Sequence, residues 1–191
     1  GLVRSALATL PPPTRIVEVG AGDGAWLLSL LRVMKGQWLG GEAQLIDRQN
    51  LLSRETREEF ARLGWQVEAV QTDVFDWLAK PRPPADLMLA NLFLHHFEEP
   101  QLGALLSGIA TQCRCFVACE PRRATFALRT AGLLGLIGCN DVTRHDAVIS
   151  VRAGFAGTEL SNLWPTGADW RVEESAAGLF SHRFIARRVP A

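Results

Sequence analysis

Short apolar runs of strand length alternate with longer segments of helical periodicity along most of the chain. The apolar runs predict five buried strands, at Arg15–Val19, Ala43–Ile46, Gln66–Val70, Asp86–Ala90 and Cys115–Cys119. The intervening segments predict helices, at Ala25–Met34, Ser53–Leu63 and Pro100–Gln112. Alternation of this kind is typical of parallel strands joined by right-handed crossover helices. We therefore predict an α/β fold built on a parallel sheet.

The two ends of the chain follow different patterns. Residues Leu2–Leu10 predict a short helix, which the prolines at 11–13 separate from the first strand. Near the other end, Trp170–Glu173 and Phe180–Arg187 are strand-like runs around a short turn. The second of them alternates apolar and polar residues, as a half-exposed antiparallel strand does. The sheet is thus expected to finish with an antiparallel hairpin.

Length and charge narrow the class of protein. The chain has 191 residues, which suits a single domain, and its 20 basic and 20 acidic residues give a net charge of zero. A nucleic-acid partner usually requires a basic excess, so the balance argues against one. The apolar run Ala131–Cys139 is too short to span a bilayer, and no signal peptide is visible. We expect a soluble, cytoplasmic protein of undetermined oligomeric state, and the first residue, Gly1, leaves open the loss of an N-terminal segment.

Three of the four cysteines lie in one apolar stretch, at Cys113, Cys115 and Cys119. Alternate residues of a strand share a face, so these three side chains are expected to point the same way. No CxxC pair or nearby ligand histidine accompanies them. We interpret them as buried free thiols and predict no metal site.

The chemistry begins with a glycine-rich turn after the first strand, in the sequence VEVGAGDG. Gly20 and Gly22 permit positive φ angles and close approach of a ligand, and the following helix offers free N–H groups. By itself, the turn also fits a dinucleotide-binding pattern. However, Glu18 ends the strand, and a carboxylate there suits a ligand with an ammonium group and would repel a pyrophosphate.

Two further carboxylates follow the next two strands. Asp47 ends the second strand and can accept hydrogen bonds from the hydroxyls of a ribose, or can cap a turn. Asp73 follows the third strand in TDVFDW, where it can accept an adenine amino group while Val74 or Phe75 packs on the ring. It can equally be the N-cap of a short helix, and both roles can hold together.

The segments VEVGAGDG, Asp47, TDVF and LANLFLHHF together resemble the class I S-adenosylmethionine-dependent methyltransferases. The resemblance is closest to the branch that contains the ubiquinone- and menaquinone-biosynthesis enzymes. It implies a Rossmann-like sheet of seven strands in the order 3-2-1-4-5-7-6, with strand 7 antiparallel and helices on both faces. It also implies that S-adenosyl-L-methionine, or its product S-adenosyl-L-homocysteine, is bound by Glu18, Gly20, Gly22, Asp47, Asp73, Val74 and Asn91.

Two regions are candidates for the acceptor side of the site. His95 and His96 follow the fourth strand, where a neutral histidine suits a general base; alternatively, one of them caps a helix or packs under the cofactor. The segment at about 122–155 is long for the connection after a fifth strand, and by the resemblance it is expected to cover the substrate as a lid. Its charged residues, which also suit a salt-bridged surface helix, supply the other candidates: Arg122, Arg144, Asp146 and Arg152 for substrate binding, and His145 as a base.

We therefore predict a single methyltransferase domain over residues 1–191. It would transfer a methyl group to an oxygen or an activated carbon of a small molecule, which could be phenolic, quinone-like or polyketide-derived. Among the alternatives, an NAD(P)-dependent oxidoreductase shares the glycine turn, but the chain has no tyrosine for short-chain-dehydrogenase chemistry. A nucleic-acid amino-methyltransferase would need an Asn/Asp-Pro-Pro-aromatic motif where this chain has ANLF. A non-catalytic cofactor-binding module stays open.

Overall fold

A seven-stranded sheet is the centre of the molecule in the computed structural model, which describes residues 11–123, 154–165, 167 and 169–189. The strands are β1 (Arg15–Val19), β2 (Gly41–Asp47), β3 (Trp65–Gln71), β4 (Leu87–Asn91), β5 (Cys115–Pro121), β6 (Trp170–Ala177) and β7 (Ser181–Arg188). The helices are α1 (Ala25–Met34), α2 (Arg54–Arg62), α3 (Val74–Leu78), α4 (Glu99–Gln112) and α5 (Glu159–Leu163), and Leu94–His96 form one 3-10 turn.

The strand order is β3-β2-β1-β4-β5-β7-β6. Strands β1 to β5 pair in parallel, whereas β7 is antiparallel to both β5 and β6. This confirms the predicted order and the predicted antiparallel strand. The order reverses between β1 and β4, and in open α/β sheets the crevice at such a reversal, at the carboxyl ends of the strands, is the usual ligand site.

The strands extend beyond their predicted ends where a neighbour continues the pairing. Strand β5 was predicted to stop at Cys119 but continues to Pro121, because Glu120 pairs with His182 and Pro121 with Ser181 on β7. Strand β6 likewise continues to Ala177. The partners of the β5 extension lie 60 and 62 residues later in the chain, so the local pattern could not indicate it. The β6 extension pairs with β7 across the short turn, where Ala177 lies opposite Ser181.

Two apolar layers cover the sheet, one on each face. Phe116 and Ala118 of β5 belong to the layer that includes α4 and α5, whereas Val117 belongs to the layer that includes α1 and α2. Helices on both faces were predicted and are confirmed. Together the two layers hold the strand ends, and with them the side chains of the candidate site, in fixed positions.

The prediction that the three cysteines share one face of the sheet is wrong. Cys113 lies in the layer with α4, and Cys115 lies in the opposite layer, because Cys113 precedes β5 and is outside its alternation. Both thiols are free and buried, and burial raises the pKa of each. Among the described residues, no group of His, Cys, Asp and Glu side chains is arranged to hold a metal ion.

The long connection after β5 leaves and rejoins the fold at one place. The Arg123 N–H donates to the Phe155 carbonyl at 2.9 Å, and the Phe155 N–H donates to the Pro121 carbonyl at 2.9 Å. The predicted lid lies mostly at 124–153, outside the described residues, as does the predicted helix Leu2–Leu10. In the described parts of the chain, no helix has the length and apolar character needed to cross a membrane.

Candidate functional site

The glycine-rich turn after β1 is held against the end of β2. The N–H groups of Gly20 and Ala21 donate to the Ile46 carbonyl at 2.9 and 3.2 Å. The Gly22 N–H donates to the Asp47 carboxylate at 2.9 Å. The structure therefore brings together the predicted cofactor residues of the first two strands.

Gly20 is required by a contact that the sequence did not predict. Its φ of +65° suits glycine, and a Cβ placed there would lie 2.1 Å from Cδ2 of Phe93. Phe93 packs in turn on Phe97, with ring centroids 5.0 Å apart, and Phe97 packs on Phe75 at 5.7 Å. A row of aromatic rings thus connects the glycine turn to the start of α3. At Gly22, by contrast, a Cβ would meet nothing within 4 Å.

We expect Gly20→Ala to destabilise the protein by about 2 kcal/mol, because it adds a backbone strain to a steric clash with Phe93. Gly22→Ala is the matched control, since it has a similar φ of +55° but free space around the added methyl group. It should cost about 1 kcal/mol from strain alone. Urea unfolding of the two variants checks the difference, and equal losses would show that Phe93 can move away at little cost.

Glu18 is a buried carboxyl group at the end of β1. The residue is 1% exposed, and its Oε2 atom has no hydrogen-bond partner among the described residues. The pKa of Glu18 is raised to about 8, first by burial and second by the negative charge of Asp23. A hydrogen bond with the Leu27 backbone in α1 acts in the opposite direction and lowers the pKa. A carboxyl group with an unpartnered buried oxygen is poised to bind a cation or a hydrogen-bond donor.

Asp47 and Asp73 both have the capping roles that were open alternatives. Asp47 accepts the Gln49 N–H at 2.9 Å in addition to that of Gly22. Asp73 is the N-cap of α3 and accepts the Phe75 N–H at 2.9 Å. A carboxylate can accept about four hydrogen bonds, so neither contact prevents ligand binding. The two acids lie at the carboxyl ends of the adjacent strands β2 and β3, on the same edge of the sheet as the glycine turn.

Glu120, at the end of β5, organises the segment after β4. Its fully buried carboxylate accepts the N–H groups of Phe93 and Leu94 at 3.0 and 2.9 Å and approaches the His95 N–H at 3.4 Å. It also lies 2.8 Å from Nδ1 of His95, whose side chain is only 6% exposed. This carboxylate therefore fixes both the backbone of the 3-10 turn and the orientation of the His95 ring.

Sequence reasoning missed Glu120, which lies just before the segment at about 122–155 that is expected to be a lid. The available signal was the acid that ends an apolar strand in CFVACE, the same pattern that singled out Glu18 in RIVEV.

His96 and Asn91 border this histidine–glutamate pair. The rings of His95 and His96 lie against each other, with centroids 4.1 Å apart and planes at 39°. Burial and, second, the electrostatic influence of the adjacent His95 ring lower the pKa of His96, an effect that Glu120 partly offsets. Asn91 ends β4 next to Cys119 of β5 and is partly buried. Both residues thus lie at the carboxyl edge of the sheet, as predicted.

A second buried histidine–glutamate pair lies farther along the sheet. His182 Nε2 is 2.7 Å from a Glu174 carboxylate oxygen, and both side chains are at most 2% exposed. Glu174 also accepts the N–H groups of Leu160 and Ser161 at the start of α5. Burial acts to raise the pKa of Glu174, but the hydrogen bonds from His182, Ser161 and Leu160 together lower it. Every described contact of this pair is internal, so we assign it to the packing of α5 on the β6–β7 hairpin.

Of the predicted substrate-binding residues, only Arg122 lies within the described chain. Its guanidinium group donates to the Gly178 carbonyl at 3.3 Å, and its backbone N–H donates to the Phe180 carbonyl at 2.8 Å. These contacts hold the β6–β7 turn at the carboxyl edge of the sheet. The other predicted residues, Arg144, His145, Asp146 and Arg152, lie outside the described residues.

The strand order, the antiparallel β7 and the acidic residues around the glycine turn define the class I methyltransferase fold. A protein-family model described as "Methyltransferase domain" agrees with this fold. It matches residues 16–114, which is more than half of the chain. The chain belongs to this methyltransferase-domain family. The S-adenosylmethionine-dependent class predicted from the sequence is confirmed, and an NAD(P)-dependent oxidoreductase is left without support.

Three solved structures of similar fold are longer than this chain. A candidate O-methyltransferase from Nostoc punctiforme is 12% identical, with a TM-score of 0.66 over 98% of this chain and 55% of its own. The O-methyltransferase family 2 protein from Planctomyces limnophilus, solved with apigenin, is 19% identical with a TM-score of 0.59, over 91% of this chain and 49% of its own. Magnesium protoporphyrin IX methyltransferase from Synechocystis, solved with S-adenosylhomocysteine, is 14% identical with a TM-score of 0.57, over 98% and 80%.

This chain spans about half the length of the Nostoc and Planctomyces proteins. At these identities the likeness shows the fold alone. No curated protein sequence matches the chain. The matches do not single out the ubiquinone- and menaquinone-biosynthesis branch, so that part of the resemblance stays a prediction.

Proposed function

We propose that this chain transfers a methyl group from S-adenosyl-L-methionine to an oxygen, or to an activated carbon, of a small-molecule acceptor that must lose a proton. The observation that carries the proposal is the buried His95–Glu120 pair, which is linked to the glycine turn through Phe93. Hydroxyl groups and acidic C–H groups need a base before they attack a methyl donor, whereas an ionised carboxylate does not.

The described residues fit the cofactor at three points. The unpartnered Oε2 of Glu18 would accept a hydrogen bond from the α-ammonium group of its methionine part. The open space at Gly22 would let the cofactor approach the backbone closely. Asp47 would accept hydrogen bonds from the ribose hydroxyls. Asp73 and Val74 would border the adenine end of the cofactor, and Asn91 would border its methionine end.

When bound, the cofactor supplies a methyl group on a sulfonium that is ready for in-line displacement. Among the described residues, His95 is the best candidate for the general base. Because Glu120 holds its Nδ1, the other ring nitrogen, Nε2, is left to take the proton of the acceptor. The Glu120 carboxylate would then stabilise the resulting imidazolium, and the buried position of the pair excludes competing water.

His96, the other histidine predicted after the fourth strand, is the weaker candidate because no carboxylate contact orients it among the described residues. Its lowered pKa keeps it neutral near pH 7, so it can lie beside an acceptor without adding a charge. His145 stays a prediction, as do the lid at 122–155 and the roles of Arg144, Asp146 and Arg152.

Isothermal titration with S-adenosylhomocysteine, with NADH as a control ligand, tests the cofactor part of the proposal. We expect micromolar binding of S-adenosylhomocysteine and none of NADH. Gly22→Ala should fold but bind S-adenosylhomocysteine at least tenfold more weakly, because the added methyl group occupies the space that the ligand would approach. A folded wild-type protein that binds no S-adenosylhomocysteine, or a Gly22→Ala protein that binds it normally, would contradict this assignment.

A further inference from the structure

Leu92 combines two unusual features at the carboxyl end of β4. Among the described residues, it alone of the non-glycine residues has a positive φ, of 52°. A left-handed conformation costs a residue with a side chain roughly 1–2 kcal/mol. Leu92 is also 54% exposed, so burial of its side chain in the core does not offset this strain. Strained residues that persist in this way are concentrated at functional sites.

The backbone around Leu92 is held firmly in this conformation. The Leu92 N–H donates to the Cys119 carbonyl at 2.9 Å, and the next two N–H groups donate to Glu120. Leu92 therefore lies between Asn91, on the proposed cofactor side, and the turn that carries His95. An exposed apolar side chain thus directly follows Asn91 and precedes the turn that carries the proposed base.

Other apolar side chains are exposed along the same edge. Leu179 and Phe180, in the turn between β6 and β7, are 60% and 54% exposed. Strand β7 is antiparallel to β5, so this turn adjoins the carboxyl end of β5, where Pro121 pairs with Ser181. Exposed apolar side chains therefore lie after β4 and beside the end of β5, the two strands whose ends carry the His95–Glu120 pair.

We infer that Leu92 is a specificity-determining residue that contacts the acceptor, and that the acceptor carries an apolar surface, such as an aromatic ring, beside its reacting group. This inference rests on the proposed function. It adds the residue that selects the acceptor and the chemical character of the part that is recognised.

Binding of 2-naphthol, a fluorescent aromatic alcohol, tests the inference without requiring turnover. The full chain is first saturated with S-adenosylhomocysteine, and 2-naphthol is then titrated while its fluorescence is followed. Leu92→Ala should bind 2-naphthol roughly five- to twentyfold more weakly, because it loses the apolar contact of most of a leucine side chain. Its affinity for S-adenosylhomocysteine should stay within about twofold, and Leu92→Met should restore most of the 2-naphthol binding.

The strain supplies an independent measurement on the same residue. Leu92→Gly relieves the left-handed strain that Leu92→Ala keeps, so we expect its melting temperature to be about 2–4 °C above that of Leu92→Ala. Both variants should nevertheless bind 2-naphthol equally weakly. Leu39→Ala is the control, since Leu39 is 88% exposed but precedes β2 at the opposite edge of the sheet, and it should change neither affinity.

The outcomes separate this inference from the proposed function. A wild-type protein that does not bind S-adenosylhomocysteine overturns the proposed function, and the inference with it. A wild-type protein that binds S-adenosylhomocysteine but not 2-naphthol overturns only the inference. Equal 2-naphthol affinities of the wild-type and Leu92→Ala proteins also overturn only the inference. So does a Leu92→Ala protein that loses affinity for S-adenosylhomocysteine alone, because this result would assign Leu92 to the cofactor site.

Discussion

Glu18→Gln is expected to make the protein more stable and to weaken its cofactor binding. The Glu18 carboxyl group is 1% exposed, and its pKa is raised from 4.5 to about 8, mainly by burial and secondly by Asp23. At neutral pH the folded protein must therefore protonate this group or bury its charge, whereas the unfolded chain ionises it freely in water. A glutamine avoids this cost because it has no charge.

The expected gain in stability depends on pH. A carboxyl group with a raised pKa in the folded state contributes its full stability below pH 4.5, and this contribution is lost as the pH rises towards 8. The wild-type protein should lose this part of its free energy of unfolding between those values, and Glu18→Gln should not. At pH 7 the variant should be more stable by about 3 kcal/mol, or roughly 6–12 °C in melting temperature.

The exposed Glu42 of β2 offers a matched control, because Glu42→Gln removes a strand carboxylate that is in contact with water. It should shift the melting temperature by less than about 2 °C at every pH. If Glu18→Gln behaves like Glu42→Gln, then Glu18 is ionised in the folded protein and has a partner that stabilises its charge.

Cofactor binding should change in the opposite direction. An ammonium group binds the ionised form of Glu18, so S-adenosylhomocysteine should bind more tightly as the pH rises from 6 to 8 and should release protons on binding below pH 8. Glu18→Gln should bind it roughly 10- to 100-fold more weakly, since it loses a charge-assisted hydrogen bond. Titration calorimetry in two buffers of different ionisation enthalpy counts the protons, and equal proton release by the variant would show that another group titrates.

The positions of the candidate cofactor residues could be predicted from the sequence because these residues follow their strands directly. Glu18, Gly20 and Gly22 lie within five residues at the end of β1. Asp47 is the last residue of β2, and Asp73 follows shortly after the end of β3. The carboxyl ends of parallel strands meet at one edge, so finding the strands was enough to bring these side chains together. The local sequence pattern was sufficient here because each of these residues lies at the end of its own strand.

The acceptor side depends on contacts between distant parts of the chain, which a local pattern does not reveal. His95 pairs with Glu120, 25 residues away, only because β5 lies next to β4. Phe93 packs on Gly20, 73 residues earlier in the chain, and its contact explains this glycine as well as ligand approach does. The positive φ of Leu92 is set by hydrogen bonds of its neighbours to β5, and no feature of leucine indicates it.

His95→Gln is expected to cause the largest loss of activity. If the His95 ring takes the proton of the acceptor, its removal should lower kcat by roughly 10²–10⁴-fold, the usual contribution of a general base. The Kd for S-adenosylhomocysteine should change by less than about threefold, because the described contacts of His95 are with Glu120 and His96 rather than with the glycine turn. Release of S-adenosylhomocysteine, with a hydroxyl-bearing acceptor found by screening, measures kcat.

Two further variants separate the loss of a base from the loss of a buried contact. Glu120→Gln keeps the shape of the side chain but removes the charge that orients His95 and stabilises its imidazolium, so kcat should fall roughly 10- to 100-fold. His182→Gln disrupts the other buried histidine–glutamate pair, 2.7 Å long, on the same sheet. It should lower the melting temperature but leave the kcat of the folded protein within about threefold. If His182→Gln and His95→Gln reduce kcat equally, the role of His95 is structural; if His96→Gln alone abolishes turnover, the base is His96.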